Sequence, residues 1–330
     1  MVMEPLHRFR WGDTTIFTLT QNNETVIYDL TLPPRQENGH YITATNYTYG
    51  FTFSFEEEFE VKDYTGWMRV NWWHSIIWTS LYVFFIYAGQ HYMQRRPKFE
   101  LRGVLTTWNV FLGLFSTLGA LRTAPEMIHL LYNYGIGFTV CISGKPFLDN
   151  RVGGFWNWMF TLSKVPELGD TVFIVLRKQP LIFLHWYHHV TVLLYAWYSY
   201  SDYIATARWF VCMNYLVHSI MYSYYALKAL KFRVPRWIAM SITTAQLAQM
   251  VMGAAVNIWA YQVKQAGNEC HVSYDNIKIS LLMYISYFVL FARFFRRAYV
   301  VNPKQVGAQP AKKGQESLAF EGKSSKGKLE

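Results

Sequence analysis

Long apolar segments separated by short polar loops make up most of the chain. One helical crossing of a bilayer needs about 20 mostly apolar residues, and seven segments reach that length. They cover residues 70–92, 104–122, 155–177, 181–200, 206–228, 237–263 and 277–296. The pattern therefore predicts an all-α membrane protein with seven transmembrane helices.

The two ends of the chain differ from this middle part. Near the N-terminus the sequence is polar and turn-rich, and it contains sequons at Asn23 and Asn46 that would be glycosylated only on a lumenal side. Near the C-terminus apolar residues are scarce, which predicts disorder. We therefore expect a lumenal N-terminal segment, a seven-helix membrane domain and a disordered cytosolic tail, at residues 1–66, 67–301 and 302–330.

Charge changes this picture by giving the helices a direction. Only 16% of the 330 residues are charged, against about 25% in soluble domains. Lysine and arginine favour cytoplasmic loops, and they follow the first, third, fifth and seventh predicted spans. This bias places the N-terminus in the lumen and the C-terminus in the cytosol. It also accounts for most of the net charge of +10, so we expect no nucleic-acid partner.

The topology also predicts the state of the three cysteines. Cys141 and Cys270 fall together in lumenal loops, on the oxidising side, whereas Cys212 lies inside the fifth span. We predict a disulfide between Cys141 and Cys270, with two unrelated free thiols as the alternative. The chain ends with lysines at positions 326 and 328. This ending resembles a dilysine retrieval signal of the endoplasmic reticulum, although a solvated tail is also rich in lysine.

Four of the predicted spans contain polar motifs. Ionisable side chains are costly in lipid unless they face one another or a wet cavity, so they indicate a functional site. The motifs are Lys164-x-x-Glu167-Leu168-x-Asp170-Thr171, His185-x-x-His188-His189, His218-x-x-Met221-Tyr222 and Thr243-x-x-Gln246-x-x-Gln249. Their i, i+3, i+4 spacing places each motif on one helix face. At about 1.5 Å of rise per residue, all four lie about 10–15 Å from a cytoplasmic boundary and form one layer.

Two chemistries use clustered histidines in a membrane. A di-iron desaturase or hydroxylase uses neutral imidazoles as iron ligands, but such sites need about eight histidines, and this layer has four. Acyl transfer needs only an imidazole as nucleophile or general base and a carboxylate to orient it. A seven-helix transporter or receptor, whose polar layer binds a ligand, is a third hypothesis. The histidine count favours acyl transfer and no metal site.

These four motifs, in this order, resemble those of the very-long-chain fatty acid elongases, the condensing enzymes of the endoplasmic reticulum. The similarity extends from about Trp67 to Tyr299. The segments around Ser163–Thr171, His185–His189 and Met221–Tyr225 are most similar to type six, which elongates saturated and monounsaturated long-chain acyl-CoAs. The resemblance implies six of the seven helices in a closed barrel around an acyl tunnel. It also implies condensation of acyl-CoA with the co-substrate malonyl-CoA to give 3-oxoacyl-CoA, carbon dioxide and CoA, without a bound cofactor.

The resemblance further implies a role for each polar residue. His188 is the nucleophile that forms an acyl-imidazole, and His218 is the alternative acyl site or a proton-transfer partner. Asp170 orients an imidazole, and His185 and His189 complete the cluster. Supporting or substrate-binding positions are Glu167, Asn214, Tyr222, Gln246 and Gln249, and the CoA phosphates face Lys178, Lys231, Arg233 and Arg236. Lys164 either binds substrate or forms a purely structural pair with Glu167, and the two glutamines of the sixth span either orient a substrate carbonyl or join helices.

The implied setting is the endoplasmic reticulum membrane. The expected partners are long-chain acyl-CoA, malonyl-CoA and the lipid bilayer. A homodimer and contacts with other enzymes of fatty-acid elongation are further expectations.

Overall fold

The computed structural model describes residues 16–21, 24–29, 36–37, 40–41, 47–142 and 151–301. Asn23, Asn46 and the predicted tail lie outside these residues, so the predictions about them stay predictions. Two short antiparallel strand pairs come first, which the sequence pattern did not predict. They are β1 (Ile16–Gln21) with β2 (Glu24–Asp29) and β3 (Gln36–Glu37) with β4 (His40–Tyr41).

Helices form the rest of the described chain. They are α1 (Ser54–Glu57), α2 (Val61–Asn71), α3 (His74–Gln94), α4 (Arg102–Cys141), α5 (Arg151–Ser163), α6 (Gly169–Leu176), α7 (Phe183–Asp202), α8 (Ala207–Ala229), α9 (Arg236–Gln265) and α10 (Tyr274–Phe295). A 3-10 turn at Pro166–Leu168 precedes α6, and a π-helical turn at Arg296–Val300 follows α10. Among the described residues, three stretches are long and apolar enough to cross a membrane, namely Arg102–Cys141, Arg236–Gln265 and Tyr274–Val300. The chain is therefore a membrane protein.

Helix α4 extends much further than the predicted second span. The sequence pattern ends that span at residue 122 and assigns Arg122 to a lumenal loop, yet the helix continues through Pro125 to Cys141. Arg122 is not free, since its guanidinium group binds the buried carboxylate of Glu56. The backbone departs from helical geometry inside α4 only at Gly135, where φ is +78°.

The predicted third span is interrupted. We treated residues 155–177 as one helix, but α5 ends at Ser163 and α6 begins at Gly169. Pro166 lacks a backbone N–H, so the helical hydrogen bond to the carbonyl four residues earlier cannot form, and this explains the break. The break turns Lys164 and Glu167 inward at the point where the two helices meet, and both side chains are buried.

The helices pack in a cyclic order of neighbours. Helix α4 packs on α8, α8 on α9, α9 on α10, α10 on α7, α7 on α5, and α5 on α4. Helix α3 packs against α6 and α7, beside this ring of neighbours. A disulfide joins Cys141, at the end of α4, to Cys270, in the loop between α9 and α10. Cys212 is a buried free thiol on α8.

The α9–α10 contact depends on a small residue. A Cβ atom added to Gly253 would lie 2.4 Å from the Tyr284 ring, closer than packed atoms tolerate. The glycine therefore lets the Tyr284 ring of α10 pack directly against the α9 backbone.

Candidate active site

Lys164 lies at the centre of a buried polar network. Its Nζ donates to Glu167 Oε1 over 2.7 Å and to Asn214 Oδ1 over 3.3 Å. Ser163 Oγ donates to the same carboxylate oxygen over 2.8 Å. On α8, Asn214 Nδ2 lies 3.1 Å from His218 Nε2. Three predicted site residues, together with Ser163, therefore connect the α5–α6 turn to His218.

Asp170 has partners that the sequence did not indicate. Trp108 Nε1 on α4 donates to its Oδ1 over 2.7 Å, and the Tyr222 hydroxyl on α8 donates to its Oδ2 over 2.8 Å. Neither carboxylate oxygen bonds to an imidazole. Asp170 joins the first turn of α6 to α4 and α8 instead of orienting a histidine directly.

The three histidines of α7 share one face, and their ring nitrogens have different environments. His185 Nε2 lies 2.9 Å from Thr171 Oγ1, which in turn lies 2.7 Å from the Tyr82 hydroxyl on α3. The rings of His185 and His189 are 4.5 Å apart between centroids. His189 Nδ1 is buried and has no hydrogen-bond partner in the described part of the chain.

His188 has the least constrained imidazole of this group. Its ring contacts those of His189 and Tyr287, with centroid distances of 5.6 and 5.0 Å, and within the described residues no hydrogen bond engages its ring nitrogens. The layer therefore presents a half-buried imidazole with available nitrogens, and it also contains the hydrogen-bonded imidazole of His218.

The predicted amide pair is less closely connected to the histidines. Gln246 Nε2 lies 3.3 Å from Met221 Sδ, and Gln249 is buried. Among the described residues, no hydrogen bond joins either glutamine to a histidine. Thr243 Oγ1 lies 3.4 Å from the Tyr299 hydroxyl, at the start of α9.

The four predicted CoA-binding cations are exposed. Arg236 Nη2 donates to Ala298 O over 2.8 Å, so this side chain also joins α9 to the π-helical turn. Lys178 lies beside a groove of about 430 Å³ between the ends of α3 and α6. The groove is lined by Gln90, Met93, Gln94, Val175, Lys178, Gln179 and Pro180.

Sequence reasoning missed several members of this layer. Trp108, Tyr82 and Tyr287 come from three helices that contain no motif, and each is an aromatic residue among many in the chain. Helical spacing relates residues within one helix, so it could not indicate which aromatic residue reaches Asp170, Thr171 or His188.

The arrangement suits acyl chemistry better than metal binding. In the described part of the chain, no three His, Cys, Asp or Glu side chains are placed to hold a metal ion together. The layer does contain an available imidazole, a second imidazole with a fixed partner and several oriented hydrogen-bond donors.

Comparison with known proteins decides the family. Residues 67–307 match the ELO family, described as the GNS1/SUR4 family. The chain belongs to this family. The match begins at the residue where the sequence motifs predicted the membrane domain to begin.

Relatives in the family are named as elongases. The chain is 55% identical over 254 residues to very long chain fatty acid elongase 6 of Drosophila melanogaster, covering 76% of this chain and 80% of the relative. It is 50% identical over 248 residues to very long chain fatty acid elongase 6 of Homo sapiens, covering 75% and 92%. It is 46% identical to putative fatty acid elongase 3 of Caenorhabditis elegans, covering 76% and 78%. The resemblance found in the motifs is confirmed, and the enzyme is a very-long-chain fatty acid elongase, a 3-oxoacyl-CoA synthase. This assignment does not favour the desaturase and transporter hypotheses.

Proposed function

We propose that this elongase condenses a saturated or monounsaturated long-chain acyl-CoA with malonyl-CoA, and that His188 carries the acyl group between the two half-reactions. The observation that supports this assignment is the His188 ring, whose nitrogens have no hydrogen bond within the described residues although the ring lies in a cluster of polar groups. An imidazole nitrogen must present its lone pair to attack a thioester. His188 meets that requirement.

In the first half-reaction, an unprotonated His188 nitrogen attacks the acyl thioester. A carbon–nitrogen bond forms, the carbon–sulfur bond breaks, and the imidazole proton passes to the sulfur, so free CoA leaves. The product is an acyl-imidazole, which is more reactive toward carbon nucleophiles than the thioester. In a layer that excludes water, oriented donors stabilise the oxyanion of the addition step.

In the second half-reaction, malonyl-CoA loses carbon dioxide and becomes an enolate. The enolate carbon attacks the acyl carbon, the carbon–nitrogen bond breaks, and the released imidazole takes up one proton from solvent. The products are 3-oxoacyl-CoA and the original histidine. Asp170, with its Trp108 and Tyr222 partners, holds the helices that present the reacting groups, and Gln246 and Gln249 orient a substrate carbonyl.

The proposed membrane arrangement has seven spans, of which six form a closed barrel. The cyclic neighbour order of α4, α8, α9, α10, α7 and α5 supports a closed arrangement. The positive-inside bias supports a lumenal N-terminus and a cytosolic C-terminus in the endoplasmic reticulum. In this orientation, CoA phosphates bind at the cytosolic end, near Lys178, Lys231, Arg233 and Arg236. Glycosylation of Asn23 and Asn46, a homodimer, and contacts with other elongation enzymes are further parts of the proposal.

The test is to replace His188 and separate the half-reactions. Purified wild-type protein incubated with palmitoyl-CoA alone should release free CoA and gain an acyl mass on the peptide containing His188. His188→Ala should do neither and should form no 3-oxoacyl-CoA. His91→Ala, at the exposed end of α3, is the matched control and should behave as wild type. Wild-type turnover in His188→Ala would exclude His188 from the mechanism. A folded wild-type enzyme that condenses both substrates without an acyl-enzyme would favour His188 as a base.

A further inference from the structure

Lys164 determines how the amide of Asn214 is oriented. An ammonium group has three donors and no acceptor, so the Asn214 atom that lies 3.3 Å from Lys164 Nζ must be the amide oxygen. The opposite orientation would place the amide NH₂ against the ammonium group, donor against donor. Lys164 is itself fixed, because Glu167 Oε1 accepts from its Nζ over 2.7 Å and the Phe160 ring centroid lies 4.1 Å from that nitrogen.

This orientation has a consequence for His218. With the amide oxygen facing Lys164, Asn214 Nδ2 is the atom that faces His218 Nε2, at 3.1 Å. An amide nitrogen only donates, so Nε2 must accept. A neutral imidazole that accepts at one nitrogen bears its proton on the other. Both Asn214 and His218 are buried, so water does not compete freely for this bond.

We propose that Lys164 and Asn214 are positioning residues that hold neutral His218 with its proton on Nδ1 and its Nε2 lone pair engaged. The inference rests on the proposed function and deepens it. Because Nε2 is occupied, His218 does not attack the acyl thioester through that atom, and His188 is left as the acyl carrier. His218 instead presents an Nδ1–H donor, and in the described residues Nδ1 has no hydrogen-bond partner. That donor is suited to an oxygen of malonyl-CoA as the enolate forms.

The proton position can be read directly. Protein labelled with ¹⁵N-histidine gives different nitrogen shifts for protonated and unprotonated ring nitrogens, and subtraction of a His218→Gln spectrum isolates His218. Wild type should show a protonated Nδ1 and an unprotonated Nε2. In Asn214→Asp the carboxylate can only accept, so Nε2 should become protonated. A wild-type spectrum with a protonated Nε2, or an Asn214→Asp spectrum identical to wild type, would overturn the inference.

Kinetics provide the second measurement. In Asn214→Asp, acyl transfer to His188 should stay within about threefold of the wild-type rate, measured as CoA release from acyl-CoA alone. Condensation should fall about 100-fold, which is the lower end of the range for loss of a proton-transfer group. Asn109→Asp is the matched control, since Asn109 is buried on α4 and donates only to Leu105 O of its own helix. Equal loss of both half-reactions in Asn214→Asp alone would assign Asn214 a general structural role and overturn the proposal.

A second variant covers the case in which Asn214→Asp does not fold. Lys164→Met removes the donors that orient Asn214, so the His218 spectrum should show both tautomers. A single wild-type tautomer in this variant would exclude Lys164 as the orienting group. The two proposals fail separately. Absence of any acyl-enzyme in the wild type would remove the proposed role of His188, whereas the nitrogen shifts test His218 independently.

Discussion

The protein contains two buried ion pairs with similar chemistry and different surroundings. We call the first of these the clamp; it is formed by Glu56, Arg122 and Trp156, and each carboxylate oxygen of Glu56 accepts two hydrogen bonds. Oε1 accepts from Arg122 Nε at 2.9 Å and from Trp156 Nε1 at 2.6 Å. Oε2 accepts from Arg122 Nη2 at 2.5 Å and from the Phe53 backbone N–H at 3.0 Å. In the network around Lys164, Glu167 Oε1 accepts two hydrogen bonds, but the buried Oε2 has no partner among the residues that the structure describes.

The difference indicates which region stabilises the fold and which region we propose takes part in catalysis. A carboxylate with all its acceptor sites occupied is fixed in place, and it ties the segment before α2 to α4 and α5. A carboxylate with one unpaired oxygen is costly to bury and is typical of a site where a ligand or a proton completes the bonding. We therefore expect substitutions in the clamp to change stability, and substitutions around Lys164 to change turnover.

The largest effect on stability is expected from Arg122→Met. This change leaves the Glu56 carboxylate buried without its charged partner, and loss of one member of a buried pair costs about 3–5 kcal/mol. The midpoint of unfolding in detergent should fall accordingly. At a temperature where the variant remains folded, condensation per folded molecule should match wild type. Loss of turnover without loss of stability would show that the clamp belongs to the catalytic machinery.

The converse result is expected when Lys164 and Glu167 are replaced together. Apolar residues of similar volume often replace a buried ion pair without loss of stability, so Lys164→Met/Glu167→Leu should unfold close to wild type. Condensation should fall about 100-fold, since His218 loses its fixed tautomer. Unfolding and condensation assays on one preparation check both results. An unstable but fully active double variant would show that the network is purely structural and that its role does not differ from that of the clamp.

The two regions also differ in how far the sequence could predict them. The histidine motifs and the Lys164–Glu167 pair come from residues close together in sequence, so helical spacing was enough to propose the layer. Asp170 was expected beside an imidazole, but it binds Trp108 and Tyr222. Those partners lie 62 and 52 residues away in sequence, and only the packing of separate helices brings them together.

The clamp could not be predicted from the pattern at all. Glu56 belongs to a run of three glutamates, and the pattern assigns Arg122 to a lumenal loop at the end of the second predicted span. Each residue alone has an ordinary explanation at the membrane surface. Their pairing across 66 residues explains both the buried glutamate and the extension of α4 beyond Arg122.

A smaller effect is expected in the pH dependence of stability, which should distinguish the clamp from the network around Lys164. Burial alone would raise the pKa of Glu56, but hydrogen bonds from Arg122, Phe53 N–H and Trp156 outweigh it and hold the pKa below the usual range. A lowered folded-state pKa gives stability that is complete above the ordinary carboxyl value of about 4.3 and is lost as the pH falls through the folded value. The difference in unfolding midpoint between wild type and Glu56→Gln should therefore be constant above about pH 5 and shrink below about pH 4. A difference that persists unchanged at low pH would show that Glu56 is not ionised in the folded protein.

The smallest effects are expected when either of two tyrosines loses its hydroxyl group. Each hydroxyl donates one hydrogen bond, Tyr49 at the clamp and Tyr222 in the polar layer. The Tyr49 hydroxyl donates to the Arg122 backbone carbonyl over 3.0 Å, and the Tyr222 hydroxyl donates to Asp170 over 2.8 Å. Tyr49→Phe should lower stability by about 1 kcal/mol, the net value of a neutral hydrogen bond, and leave turnover unchanged. Tyr222→Phe loses its hydrogen bond to the buried Asp170 carboxyl, worth about 1.5 kcal/mol. If this free energy is lost from the transition state of condensation, turnover should fall about tenfold or more. Turnover of both variants is measured at saturating acyl-CoA and malonyl-CoA. Equal turnover would show that Asp170 only joins helices. The catalytic region would then consist of the Lys164 network and the histidines, without Asp170.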